Sequence, residues 1–259
     1  MNSPVPATLP PLTRRLLCWE IIVVFGVSLG ASALFAIINL IGSLTAPKAL
    51  RQQQATLVGS LAPGRPLLDL TLQLASILVT LVPVALVFYL LAREGEGPAT
   101  LGIDTTRPGS DVLRGAALAA LIGGSGLALY IAAFHLGISL NVVPENLPDV
   151  WWRIPVLVLD AAQNGILEEV LVLGYLLRRL DQLGLSPGKA IALAALVRGS
   201  YHLYQGFGGF IGNAILGVIF GVLYKRWGRV TPMIIAHTLI DTGAFVGYLA
   251  LHGHVSWLP

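Results

Sequence analysis

Charge is what this sequence has least of. Only 11% of its 259 residues are Asp, Glu, Lys or Arg, against roughly 25% in a soluble globular domain. That excludes a free-standing soluble enzyme. Cys18 is the one cysteine, which excludes an internal disulfide and a paired-cysteine metal site. No HExxH string occurs, so a two-histidine zinc helix is excluded, and no GxSxG elbow presents a serine nucleophile. The net charge of +3 is spread over an apolar chain, where basic residues first set membrane orientation. No nucleic-acid partner is expected.

What is present is hydrophobic length. The chain is 55% hydrophobic with a mean hydropathy of +0.78. The expected fold is an all-α polytopic transmembrane bundle of about seven spans with the N-terminus inside. Residues 1–15 carry Pro4, Pro6, Pro10 and Pro11 and read as a disordered cytoplasmic tail. The uncharged run from Ile21 to Thr45 exceeds a signal-peptide h-region of roughly 7–15 residues, so it reads as a retained helix. Residues 16–145 are expected to form N-terminal membrane helices and 150–251 a functional helical core.

The expected spans are 16–45, 67–92 with a kink at Pro83, 112–140, 152–180, 186–204, a sixth that follows the glycine-rich turn of Gly206, Gly208 and Gly209 and ends near Tyr224, and 230–251. Lys48–Arg65 is a loop or a re-entrant segment. The run Gly123-Gly124-Ser125-Gly126 and the pairs Gly208/Gly212 and Gly217/Gly221 predict close helix approach. Ser186 and Pro187 start the fifth helix as N-cap and first helical residue. With the N-terminus inside, the inner face receives Arg14, Arg15, Arg93, Arg107, Arg114, Arg178, Arg179, Lys189, Lys225, Arg226 and Arg229, or 11 of the 16 basic residues, as the positive-inside rule requires.

Against this background a few polar residues stand out inside the spans. Asp160, Asn164 and Glu168 are spaced four apart and share one helical face. Glu169 lies about 100° around the helix from Glu168 and is expected to point elsewhere. Arg198/His202 and His237/Asp241 repeat the four-residue spacing on two later spans. Ionisable groups at bilayer depth are costly and mark cavities and function. A carboxylate with an imidazole can activate water, a second imidazole beside an acid can stabilise an oxyanion, and Glu168, His202 and His237 are alternative zinc ligands. Asp160 reads as structural, and His135 as an interhelical hydrogen-bonder. Tyr175, Tyr201 and Tyr204 read as packing residues.

Glu168-Glu169, then His202, then His237-xxx-Asp241 resembles the CPBP group of intramembrane endopeptidases, which includes CAAX prenyl proteases and bacteriocin-processing or self-immunity proteins. The resemblance covers about residues 150–245. It implies Glu168 as the water-activating base, His202 as its partner, and His237 with Asp241 as the oxyanion-side pair. It further implies a membrane-associated peptide or lipidated substrate, a CAAX-type prenylated one following from the family name alone. Members have been described as metalloproteases, while a metal-free glutamate mechanism is the reading favoured here, with no cofactor. Two positions depart from the pattern. The family arginine five residues after the first Glu is Leu173 here, and the family phenylalanine four before the first His is Arg198. Arg198 is therefore expected to supply from a neighbouring helix the positive charge that Glu169 lacks, with Asn164 in support. An integral, multi-pass protein of the bacterial plasma membrane follows. The alternatives are an inactive immunity or scaffold protein of the same fold and a proton-coupled transporter, against which no paired repeat is visible.

Overall fold

The computed structural model describes residues 13–251 and 253–255. The expected tail therefore lies, for residues 1–12, outside the described residues. Thr13 caps the first helix, its Oγ1 accepting from the Leu16 amide at 3.3 Å. The expected first span is two helices, α1 (Arg14–Gly26) and α2 (Leu29–Thr45), bent by 58°. The bend is built from small residues. Ser28 Oγ bonds back to Val24 O at 2.6 Å, and a Cβ at Gly30 would sit 2.6 Å from the Phe25 carbonyl.

Helices α3 (Pro66–Thr80) and α4 (Val82–Arg93) break at Leu81 but together make one 28-residue apolar segment. Pro83 lies in the first turn of α4, where its missing N–H costs no helical bond. Then come α5 (Pro108–His135), α6 (Arg153–Glu168), a π-helical segment Glu169–Leu176, α7 (Leu177–Gln182), α8 (Pro187–Ser200), α9 (Phe207–Trp227) and α10 (Thr231–Leu251).

Four helical segments are long and apolar enough to cross a membrane, or five if α1–α2 counts as one. The two expected spans that do not meet this measure are the polar ones at 152–180 and 186–204. Helix α8 has 14 residues, about 21 Å at 1.5 Å per residue, short of the roughly 30 Å hydrocarbon core. The π-helical segment of the first is screened by other helices. Val170, Leu171, Val172, Leu173, Tyr175 and Leu177 are fully buried, packed with Leu91 of α4, Phe220 of α9 and Met233 of α10. The outer surface is the apolar one, with Leu67, Leu113 and Leu121 exposed. This is the arrangement of an integral membrane protein, in which lipid and not water meets the outside.

The fold is not wholly helical. In the stretches expected as loops, β1 (Gln54–Gly59) pairs in parallel with β2 (Asn141–Asn146), with Ala55 opposite Val142 and Val58 opposite Glu145. Their β-branched residues suit a pleated surface, but runs this short had no periodicity to separate them from loop. The free edge of β2 is blunted, because the Val142 amide donates to Tyr130 Oη at 3.0 Å and Pro144 has no amide to offer.

Helices α8 and α9 form a hairpin whose tip is the turn 201–206. Gly217 and Gly221 make that hairpin tight: a Cβ on either would meet Ala195 Cα at 2.9 Å or Ile191 Cγ2 at 3.1 Å. The α5 glycines behave otherwise. Nothing lies within 4 Å of a Cβ built on Gly123, Gly124 or Gly126. Instead of a helix contact, they form the wall of a cavity.

Candidate active site

The cavity has a volume of about 740 Å³ and is walled by α5, α9 and α10, with Asn164, Glu168, His202, His237 and Asp241 among its lining residues. Three elements deliver the charged groups: the α6–π junction, the end of α8 and the middle of α10. The glutamates straddle the point where α-helix becomes π-helix. A π-segment bonds to i+5 and re-aims side chains relative to a regular helix. Glu169 therefore does not point away as expected. Donor atoms of Glu168, Glu169 and His237 all lie within 4.8 Å of one another.

Arg198 sits between them, fully buried. Its Nη1 donates to Glu169 Oε1 at 2.7 Å, and Nη2 lies 3.3 Å from Glu168 Oε2. The counter-ion for Glu169 comes from α8, while position 173 is Leu in the buried core. On the far side of Glu169, its Oε1 is 2.8 Å from His237 Nδ1. A carboxylate accepts only, so His237 Nδ1 carries the proton and donates. The 3.3 Å approach of Arg198 Nη2 to the same nitrogen is then a close approach of two donors, held by the carboxylate they share. His237 Nε2 faces Asp241 Oδ2 at 3.4 Å.

Glu168 is held on one oxygen only. Tyr201 Oη donates to Oε2 at 2.8 Å, and His202 Nε2 stands 3.7 Å from the same atom, too far for a hydrogen bond. His202 Nε2 is buried with no hydrogen-bond partner. On its other side, Gln205 Nε2 is 3.4 Å from His202 Nδ1 and donates to Tyr204 Oη at 3.0 Å.

The sequence had passed over Tyr201 as a packing residue. The signal lay in its place beside His202 and three residues after Arg198, one turn along. Asn164 reaches the cavity and accepts from Gln163 Nε2 at 3.2 Å. Asp160, one turn earlier, is not among the lining residues. His135 is not an interhelical bonder: it is exposed at the end of α5, its ring edge-on to Phe134. Arg179, counted as an inner-face cation, is fully buried and pairs with Glu20 at 2.7 Å and Glu94 at 2.6 Å. Tyr175 joins the same knot by donating to Glu20 at 2.9 Å.

The donor set Glu168, Glu169 and His237 has the composition of a cation site. However, the guanidinium of Arg198 already stands 2.7 Å from Glu169 and 3.3 Å from both Glu168 and His237 Nδ1. His237 Nδ1 donates to Glu169, which leaves only Nε2, 3.4 Å from Asp241 Oδ2, to carry a lone pair on that ring. The residues present do not fit a divalent ion alongside that fixed positive charge. Zinc bound through Glu168, His202 and His237, the alternative set, meets the same obstacle at Glu168.

A bundle with an apolar outside and a buried Glu–Arg–His constellation at a cavity floor defines a polytopic membrane protein with a polar site inside it. Residues 150–243 match the family of type II CAAX prenyl endopeptidases, Rce1-like, and this stretch is thus similar to the CPBP/CAAX proteases, a family of membrane proteases. It contains every residue of the constellation. No curated protein and no solved structure is significantly similar to the chain.

Proposed function

We propose that this protein is a glutamate-dependent intramembrane endopeptidase that cleaves a peptide bond of a membrane-associated substrate. The observation that carries the proposal is that Glu168 and His202, whose Oε2 and Nε2 stand 3.7 Å apart, both line a cavity that His237 also lines. Closed salt bridges without a void would suit a scaffold. Here Glu168 and His202 line a void in which water can be held beside the carboxylate and deprotonated.

In this mechanism Glu168 accepts a proton from water as it attacks the scissile carbonyl, a step to which a placed base contributes about 10²–10⁴-fold. His202 orients that water. His237, as an imidazolium held between Glu169 on Nδ1 and Asp241 on Nε2, donates from Nε2 to the developing oxyanion. Arg198 holds Glu169 and balances the paired carboxylates, so no metal step is invoked. The substrate is a membrane-bound peptide or lipidated protein, a prenylated CAAX-type tail among them. Seven spans with the N-terminus inside, in a bacterial plasma membrane, remain our proposed topology. Within it, residues 16–145 frame the 150–251 core.

The test compares membrane-protein cleavage products of cells carrying the wild type and Glu168→Gln. Products lost with Glu168→Gln support the proposal; identical product sets refute it.

A further inference from the structure

A second cavity, of about 490 Å³, lies on the other side of the His202 turn. Asn39 and Ser43 face it from α2, four residues apart, joined by Gln53 and Gln54 at the entry to β1. α2 is otherwise almost wholly apolar, and polar side chains on such a helix face water or polar partners. Gln53 is pinned as part of this wall, its Nε2 donating to Ser43 O at 2.8 Å and Lys48 O at 2.7 Å. Asn39 is exposed, so the cavity opens outward there.

Its inner wall is Tyr204. From Tyr204 a hydrogen-bonded line crosses the turn: Gln205 Nε2 donates to Tyr204 Oη at 3.0 Å and lies 3.4 Å from His202 Nδ1. Gln205 and His202 line the main cavity, while Tyr204 lines the second one. The turn is therefore the partition between the two. It is braced from behind by segment 138–140, with Leu140 N bonding Gln205 O at 3.0 Å and Gly208 N bonding Ile138 O at 3.3 Å.

We propose that the second cavity is a hydrated vestibule that brings water to His202 and Glu168 across the Tyr204–Gln205 partition, from the side of the molecule that carries β1 and β2. The inference rests on the hydrolytic reading of the main site. Each peptide bond cleaved consumes one water, and a substrate seated in the main cavity stands across the other approach to Glu168.

The single native cysteine makes a direct test simple. In full-length Cys18→Ser protein reconstituted in vesicles, Asn39→Cys and Ser43→Cys are exposed on both sides to a charged, membrane-impermeant methanethiosulfonate reagent. The reagent attacks thiolate, and so reports water at the side chain. Both positions are expected to react at least tenfold faster than Ile41→Cys, which is exposed on the same helix at 56% but lies outside the cavity. Equal or slower rates overturn the vestibule. The supply role is read separately: Ser43→Leu, which fills the space, lowers kcat at least threefold at unchanged KM on a cleaved peptide. Unchanged kcat overturns that role. Labelling needs no turnover, so loss of the protease reading and loss of the vestibule are distinguishable.

Discussion

Arg198 is the cation that both glutamates of the candidate site share, at 2.7 Å from Glu169 and 3.3 Å from Glu168. Removing one member of a buried charge network leaves the others uncompensated, at a cost of about 3–5 kcal/mol. Arg198→Leu is expected to lose that much in thermal or denaturant unfolding in detergent, with activity. Adding Leu173→Arg, one position from Val172 in the fully buried π-segment, should return part of it. A coupling energy below about 0.5 kcal/mol in that double-mutant cycle would sink the idea that one arginine stands in for the other. Tyr201→Phe tests a smaller term. It removes a hydrogen bond to a charged acceptor, worth about 1.5–3 kcal/mol, and frees the Glu168 carboxylate to rotate. Kinetics should show a drop in kcat of about tenfold or more with KM little changed; a change confined to KM would reassign Tyr201 to substrate binding.

At the scale of elements, the α6–π–α7 helix and the α8–α9 hairpin are what bring the charges together. Close contact at Gly217 is part of that, since a Cβ there would meet Ala195 Cα at 2.9 Å and Arg198 Cδ at 3.2 Å. Gly217→Val should destabilise by about 1–3 kcal/mol through overpacking. Gly124→Ala, in open space on the cavity wall, should be neutral or slightly stabilising. Melting temperatures of the two variants in the same detergent make the comparison, and equal effects would contradict the packing assigned here. The pair on α10 was legible as a four-residue spacing, because a regular helix stacks i and i+4, whereas the helix expected to run to 204 ends at Ser200 and His202 reaches the site from the turn beyond it. The aim of Glu169 was not. A π-segment leaves no periodic trace in a run such as Val170–Leu173, where every residue is apolar and buried.

Across the whole molecule, a second arginine fastens the ends of the bundle outside the spans. Arg229, between α9 and α10, bonds Asp111 at 2.6 Å and Asp104 at 3.0 Å. Beside it Val230 N bonds Leu101 O at 2.9 Å and Thr231 Oγ1 bonds Gly102 O at 2.9 Å. Hydrogen bonds from Arg229, then from Thr106, hold the Asp104 carboxyl well below the usual carboxylate range. A depressed folded-state pKa means the stabilisation is complete above the ordinary value of about 3.9 and drains away as pH falls through the lower folded value. Melting temperature should therefore fall on acidification below about pH 4 in the wild type. In Asp104→Asn that acid-side fall should be shallower, and an unchanged acid profile would show that the cluster does not couple the α4–α5 loop to the α9–α10 turn.

What the sequence by itself determined is the class of the molecule and the cast of its site. Low charge and long apolar runs require a membrane-embedded helical bundle, and an isolated Glu, His or Arg in such a run needs a cavity or a partner. The tertiary structure alone decided which partner each one has. It turned Glu169 toward Arg198 and His237, made Tyr201 a ligand of Glu168, and buried Arg179 against Glu20 and Glu94. It also made the α5 glycines a cavity wall and paired two strands that read as loop. The physical reason is range. Hydropathy and helical period act within one segment, while the pairing of buried charges and the shape of the void between helices depend on how segments distant in sequence are packed.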